Sequence, residues 1–130
     1  FYMNELSAGI GIEQLKKLDK NNSKRKNIAK RYSEELDIEV KMKFQKDCSY
    51  HIFWIQVKNR EQFMMKMKQE KIETGIHYLP IHKMSFYKKF SKKLKMTEDA
   101  STKIVSLPIH PNLSESQIGK IIDSVNSLIK

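Results

Sequence analysis

Hydrophobic residues in the first third of the chain recur at intervals of three and four, as they do on one face of a helix. The stripe consists of Leu6, Ile10, Ile12, Leu15, Leu18, Ile28, Tyr32 and Leu36. This pattern predicts a helix from Asn4 to about Leu36 with a buried face. Asn4 is a favourable N-cap, because its side-chain oxygen can accept a hydrogen bond from an unpaired amide of the first turn.

The middle of this segment, residues 19–26, contains no apolar residue. It is either the exposed middle of one long helix or a break between two helices. Because no proline or glycine interrupts it, the sequence favours one long helix. Gly9 and Gly11 each cost about 1 kcal/mol relative to alanine inside a helix. They mark close approach of another backbone or a ligand, or they are a tolerated pair near the helix start.

Beyond Asp37 the hydrophobic period shortens to two, which is typical of strands. Apolar and charged residues alternate from Ile38 to Met42, and β-branched and aromatic residues dominate the stretch from Ser49 to Lys58. Ile76 to Leu79 can form a third strand. A brief extended piece is expected at Ile104 to Leu107.

Two capping boxes predict where later helices begin. Asn59 is followed three residues later by Gln62, which predicts a helix that ends near Lys71. Ser114 is followed by Gln117 in the same way, and apolar residues at helical spacing follow to the end of the chain. The second box therefore predicts a C-terminal helix with one buried face.

Lys83 to Met96 carries six lysines and no acidic residue, together with Phe86, Tyr87 and Phe90. We interpret it as a short helix that buries the three aromatic rings and exposes the lysines. Binding of single-stranded nucleic acid would instead need the rings on an exposed face. A second short helix is predicted from Thr97 to Lys103.

The order of these elements is helix, two strands, helix, strand, short helices and helix. It predicts an α/β fold of the α+β type, with a long N-terminal helix and a small, mostly antiparallel sheet of about three strands covered by helices. The chain has 130 residues, which is enough for one domain with its own core and too short for two.

The formal net charge of +10 is carried by 22 lysines and three arginines. Base reading and bidentate phosphate capture favour arginine, so we predict no nucleic-acid partner. The sequence has no apolar run of the roughly 20 residues that cross a bilayer, so we predict no membrane partner. Cys48 is the single cysteine, which predicts a reducing, cytoplasmic setting.

The side chains best suited to chemistry are concentrated between Thr74 and His82. The segment contains His77, Tyr78 and His82, and its last four residues, Leu-Pro-Ile-His, recur at 107–110. Imidazole and phenol both donate and accept hydrogen bonds, and proline stiffens the backbone. The segment is therefore suited to lining a pocket for a hydroxyl-rich ligand. The histidine and cysteine spacings do not match a four-ligand zinc site, so no metal is predicted.

Four stretches, in this order, resemble the DegT/StrS family of nucleotide-sugar aminotransferases. They are residues 3–19, Ser49–Phe53, Gly75–His82 and Ser106–Ser114. One such motif alone is weak, whereas four in order, with compatible spacing over nearly the whole chain, are specific. The family usually has arginine just before the methionine of the first motif, and Tyr2 stands there in this chain.

The resemblance implies an aspartate-aminotransferase-like (fold type I) enzyme that uses pyridoxal 5′-phosphate. Such enzymes form homodimers and move an amino group from a donor, commonly glutamate, onto a nucleotide-linked keto sugar. Since the chain opens at Phe1 almost within a helix, we expect residues 1–36 to be a connecting helix and residues 37–130 the C-terminal small domain. The large cofactor-binding domain, with its Schiff-base lysine, is expected upstream, so this piece alone would be inactive.

Carried over motif by motif, the resemblance also implies roles for particular residues. His77, Tyr78 and His82 fall on the substrate side, together with His51. Asn4 falls on the face toward the cofactor or the second subunit. Two alternatives stay open: a regulatory or dehydratase-like member of the same family, and a standalone basic module that binds nucleic acid.

Overall fold

The computed structural model describes residues 2–129, and its first element is one continuous helix, α1, at Glu5–Glu35. The Asn4 side chain caps it by accepting a hydrogen bond of 2.8 Å from the Ser7 amide. The helix ends where the amide of Leu36 donates to the carbonyl of Tyr32. The prediction of a single long helix with Asn4 as its N-cap is confirmed.

The first half of α1 is exposed, which corrects the prediction of a buried stripe along the whole helix. Burial begins only at Ile28, and Leu6 keeps 78% of its accessible surface. A Cβ added at Gly9 or Gly11 would meet no atom within 4 Å outside the neighbouring helix backbone. The sequence pattern correctly predicts that one face of α1 is apolar. Within the described chain, however, nothing packs against the first half of this helix.

The sheet consists of β1 (Phe53–Gln56) and β2 (Ile104–Leu107), which pair antiparallel with Phe53 opposite Leu107. The strand predicted from Ser49 to Lys58 is therefore shorter than expected. Tyr50 interrupts it, because its φ of 51° lies in the left-handed region and is incompatible with extended backbone.

Two further segments touch the sheet through single bridges. Lys41 bridges to Ile55 beside β1, and Gly75 bridges to Ser106 beside β2. The strand predicted at 38–42 is thus reduced to one residue pair, and the strand predicted at 76–79 does not form, since the bridge lies just before it at Gly75. The expected sheet of about three strands is a two-stranded sheet with two bridges. After Gly75 the chain leaves the sheet, and it soon reaches Pro80, which has no amide to donate to a ladder.

Three more α-helices complete the regular structure: α2 at Arg60–Gln69, α3 at Lys95–Lys103 and α4 at Glu115–Leu128. Asn59 caps α2 by accepting a hydrogen bond from the Gln62 amide. Ser114 and Gln117 form a complete capping box at the start of α4. The predicted starts of α2 and α4 are confirmed.

The stretch between His82 and α3 differs from its prediction. It forms two 3₁₀ turns, Ile81–Lys83 and Ser85–Phe90, instead of a short α-helix. Its rings are exposed, with Phe86 retaining 83% of its surface, so the predicted burial of these aromatics is wrong. Phe86 packs edge-on against Tyr87, and the Lys89 ammonium lies 5.0 Å from the Phe90 ring, so the aromatics contact local neighbours in place of a core.

The core lies where the end of α1, the sheet, α2 and α4 meet. Its fully buried large side chains are Tyr32, Tyr50, Phe53, Ile55, Met67, Val105 and Val125. The rings of Tyr32 and Phe53 meet edge to face at 5.3 Å between centroids. Of the helices in residues 2–129, none combines the length and apolar character needed to cross a membrane.

Candidate functional site

The segment with the predicted site residues starts from a fixed point on the sheet. The Gly75 amide donates to the Ser106 carbonyl at 3.0 Å, and the Ser106 amide donates back to the Gly75 carbonyl at 2.8 Å. Ser106 is a buried residue of β2. His77 lies two residues beyond this anchor, so the anchor fixes the point from which the segment with His77 extends.

His77 and Tyr78 form an outward-facing pair. Their rings meet nearly perpendicular, with centroids 5.0 Å apart, and Tyr78 retains 68% of its surface. The His77 imidazole also folds back over Gly75, where an added Cβ would lie only 2.5 Å from its Cε1 atom. Glycine is therefore needed at position 75 for this ring placement, and the pair offers an imidazole and a phenol to a ligand outside the domain.

His82 points the other way, toward α3. Its side chain is only 11% exposed, and its Nε2 atom lies 3.4 Å from Oε1 of Glu98. Nε2 is buried and forms no hydrogen bond within residues 2–129. Glu98 is therefore the nearest acidic group to this imidazole.

The Glu98 carboxylate is held by further donors. Its Oε1 accepts a hydrogen bond of 3.1 Å from the Leu94 amide, and its Oε2 lies 3.1 Å from the Lys83 ammonium. The pKa of this carboxyl lies below its ordinary value. The hydrogen bond from the Leu94 amide is the largest cause, and the hydrogen bond from Lys83 is the second. Glu98 is thus ionised near neutral pH, and its carboxylate contacts His82, Lys83 and Leu94.

His51 lies away from this group. It is exposed and precedes Phe53, which pairs with Leu107 at one end of β2. The structure places His77, Tyr78 and His82 on one segment, and none of the contacts within residues 2–129 joins His51 to that segment.

The second copy of the Leu-Pro-Ile-His motif has a structural contact. The buried Tyr32 hydroxyl donates to the Pro108 carbonyl at 2.8 Å, which fixes the turn after β2 onto α1. Burial raises the pKa of the Tyr32 phenol, so it stays a donor. His110, the histidine of this copy, is exposed.

Asn4 uses its side-chain oxygen in the α1 cap. Its amide nitrogen is not used in the cap and can donate to another subunit or to a cofactor. Beside it, Leu6, Gly9 and Ile10 line a shallow groove on the exposed half of α1. The groove has apolar walls and no side chain at Gly9, so another chain can approach the helix backbone closely.

The cavity, the possible metal ligands and the lysines of the described residues add no further member to the group of His77, Tyr78 and His82. A cavity of about 540 Å³ lies between residues 37–40, α2 and the end of α4, and none of the predicted site residues lines it. Within residues 2–129, no three histidine, cysteine or acidic side chains lie close enough to hold a metal ion. In the same range no lysine is buried.

Glu98 is the site residue that sequence reasoning missed. It stands 16 positions after His82, and no helical or strand period links the two. The one local signal is its position in the first turn of α3, where it accepts from the Leu94 amide as a capping acid does.

Comparison with known proteins gives a consistent result. The family model described as the DegT/DnrJ/EryC1/StrS aminotransferase family matches residues 1–126. Among curated proteins, the dTDP-3-amino-3,6-dideoxy-alpha-D-galactopyranose transaminase of Aneurinibacillus thermoaerophilus is 31% identical over 95% of this chain and 36% of its own length. The chain thus spans little more than a third of the curated relatives it matches.

Solved structures agree in fold. An aminotransferase of the same family from Brucella abortus matches with a TM-score of 0.83 at 30% identity, covering 91% of this chain and 34% of its own. Helicobacter pylori PseC, an aminotransferase involved in the biosynthesis of pseudoaminic acid, matches with a TM-score of 0.88 at 25% identity, covering 99% of this chain and 38% of its own.

Proposed function

This chain belongs to the DegT/DnrJ/EryC1/StrS aminotransferase family, and on that premise we propose that it is the C-terminal small domain and connecting helix of a pyridoxal-phosphate-dependent sugar aminotransferase. In this proposal residues 1–36 are the connecting helix, residues 37–130 are the small domain, and a cofactor-binding domain precedes them. The complete cytoplasmic enzyme moves an amino group from a donor such as glutamate onto a nucleotide-linked keto sugar. The family resemblance inferred from four ordered motifs is confirmed.

The observation that carries the proposal is the outward pair of His77 and Tyr78, anchored by Gly75 to the buried residue Ser106. A sugar presents several hydroxyls, and these two side chains can each donate to and accept from a hydroxyl. Because Gly75 fixes where the segment leaves the sheet, these two side chains would be held near one place beside a bound substrate. His82 would form the inner part of the same wall.

The cofactor supplies the carbanion-stabilising chemistry when it is bound. The residues described in this chain suit binding and orientation of substrate, and their lysines are all at least partly exposed. We therefore assign no catalytic residue to the chain, and we expect it to be inactive by itself.

The exposed first half of α1 supports a homodimeric assembly in this proposal. Leu6 and Ile10 present apolar surface beside the gap at Gly9, and Asn4 lies at the start of the same helix. Burying such side chains stabilises an interface by about 1.5–3 kcal/mol each. We propose that the second subunit or the preceding domain covers this face.

The test uses the complete protein that contains this chain. We expect it to show the visible-edge absorbance of lysine-bound pyridoxal phosphate and to aminate a nucleotide-linked keto sugar with glutamate as donor. His77→Gln and Tyr78→Phe should raise KM for the sugar, whereas His110→Gln, a change at the exposed histidine of the second motif copy, should leave it unchanged. Failure to take up pyridoxal phosphate would refute the proposal. Uptake without amination would favour a dehydratase-like or regulatory member of the family.

A further inference from the structure

The loop between His82 and α3 contains no fully buried residue, although Met84 and Tyr87 retain only 37% and 40% of their surface. Every residue from Lys83 to Thr97 is exposed, and the two 3₁₀ turns contain no buried residue. A loop of this kind pays ordering entropy for each fixed residue and recovers little of it through apolar burial. Polar contacts at its ends are therefore expected to contribute to holding its conformation.

One carboxylate makes the contacts at both ends of this loop. Oε2 of Glu98 lies 3.1 Å from the Lys83 ammonium at the beginning, and Oε1 accepts from the Leu94 amide at the end. The ten residues between these two positions therefore form a loop whose two ends both contact the Glu98 side chain. Contacts to an ionised carboxylate are stronger than those between neutral groups.

The same carboxylate faces the His82 ring. Nε2 is buried and has no hydrogen-bond partner among the described residues, and Glu98 Oε1 is 3.4 Å away. A proton on Nε2 would be directed toward this oxygen, whereas a lone pair there would face a negative charge. The arrangement therefore favours the neutral tautomer with hydrogen on Nε2 and leaves Nδ1 as an acceptor.

We propose that Glu98 is a positioning residue, which closes the 83–94 loop at both ends and fixes the tautomer of His82. It reaches the substrate wall only through His82 and the loop backbone. This role for His82 rests on the function proposed above, whereas closure of the loop does not.

The experiment compares four forms of the 130-residue chain: wild type, Glu98→Ala, Glu98→Gln and Asp99→Ala. Asp99 is the matched control, since it is the next acidic residue of α3 and its carboxylate pairs with Lys103 on the same helix. Two quantities are measured, the rate of tryptic cleavage after the loop lysines and the His82 tautomer from long-range ¹⁵N–¹H correlations at mildly alkaline pH.

We expect Glu98→Ala to raise the cleavage rate on the order of fivefold and to convert His82 into a mixture of tautomers. Glu98→Gln retains an oxygen that can accept from Leu94 and from Nε2, so it should keep the tautomer while losing the Lys83 ion pair and part of the protection. A general loss of helix stability would not produce this split between two variants. Asp99→Ala should match the wild type in both measurements.

The proposal is overturned if Glu98→Ala leaves cleavage and tautomer unchanged, or if Asp99→Ala has the same effects. If Glu98→Ala does not fold, Glu98→Gln decides, because unchanged protection in that variant also contradicts loop closure. Cofactor uptake by the complete protein is a separate measurement. Its failure would refute the aminotransferase proposal and leave the loop result standing.

Discussion

Replacing Gly75 with alanine is expected to move the His77 ring while leaving the backbone in place. No glycine in the described chain has a positive φ, so alanine fits the backbone at position 75 without strain. The two hydrogen bonds between Gly75 and Ser106 use backbone atoms only and persist. What changes is the space beneath His77.

The size of this change follows from the distances. The new Cβ would lie 2.5 Å from Cε1 and 3.1 Å from Nδ1 of His77, whereas ordinary contacts begin at 3.4 Å. The ring must therefore move by roughly 1 Å. It is exposed and can swing away, so we expect the stability of the domain to change by less than about 1 kcal/mol, since reduced entropy of the unfolded chain offsets the lost contact with Tyr78. A displacement of about 1 Å at a substrate-positioning group can cost up to about a hundredfold in kcat/KM.

The assay has two parts. In the 130-residue chain, the ring resonances of His77 and Tyr78 should shift in Gly75→Ala, because their edge-to-face geometry changes. In the complete protein, kcat/KM for the sugar should fall between roughly tenfold and a hundredfold. Gly119→Ala is the control, because its added Cβ meets nothing within 4 Å in α4 and should raise stability by about 0.5–1 kcal/mol without shifting either ring. Unchanged His77 resonances in Gly75→Ala would refute the reasoning.

Three further predictions concern stability and partners. Tyr32→Phe leaves the Pro108 carbonyl without its donor and keeps the ring, so urea denaturation should show a loss of about 1–3 kcal/mol; a loss below about 0.3 kcal/mol would mean that water replaces the hydroxyl. The pKa of Glu98 is lowered mainly by the Leu94 amide, so its contribution to stability is complete above the ordinary carboxyl value of 4.5 and disappears as the pH falls through the lower folded value. Acid unfolding of Glu98→Ala should therefore depend less steeply on pH than that of the wild type, and equal slopes would contradict this. Single-stranded oligonucleotide should bind Lys83–Met96 weakly at low salt and lose binding as salt rises, whereas tight binding at physiological salt would support the nucleic-acid alternative.

The elements that the sequence predicted well are those with local signals. Asn4, Asn59 and Ser114 each cap a helix through a hydrogen bond to an amide three residues away, so the capping pattern is contained in a few neighbouring residues. The apolar face of α4 also repeats at helical spacing, and it is buried as expected. Local periodicity says that a face is apolar, but not what covers it. For this reason the exposure of Leu6 and Phe86 could not be predicted.

The sequence predicted which residues form the candidate site, but it did not predict the directions in which their side chains point. The sequence brings His77, Tyr78 and His82 into one segment, yet a one-dimensional pattern does not show that the pair at 77–78 faces outward while His82 turns inward. Both directions are set by distant partners, Ser106 at the start of the segment and Glu98 after the loop. Contacts of this range depend on the folded backbone.

Because α1 is anchored to the core only at its end, its amides should differ widely in hydrogen-exchange protection. Around Tyr32 the amides open with the core, whereas toward Leu6 the helix has little tertiary packing, and an isolated helix of that length is marginal in water. Protection should therefore decline turn by turn toward the start of α1. A surface that covers this face should slow hydrogen exchange most at the end of α1 farthest from the core. Exchange along α1 would therefore show whether this face is covered in the assembled protein.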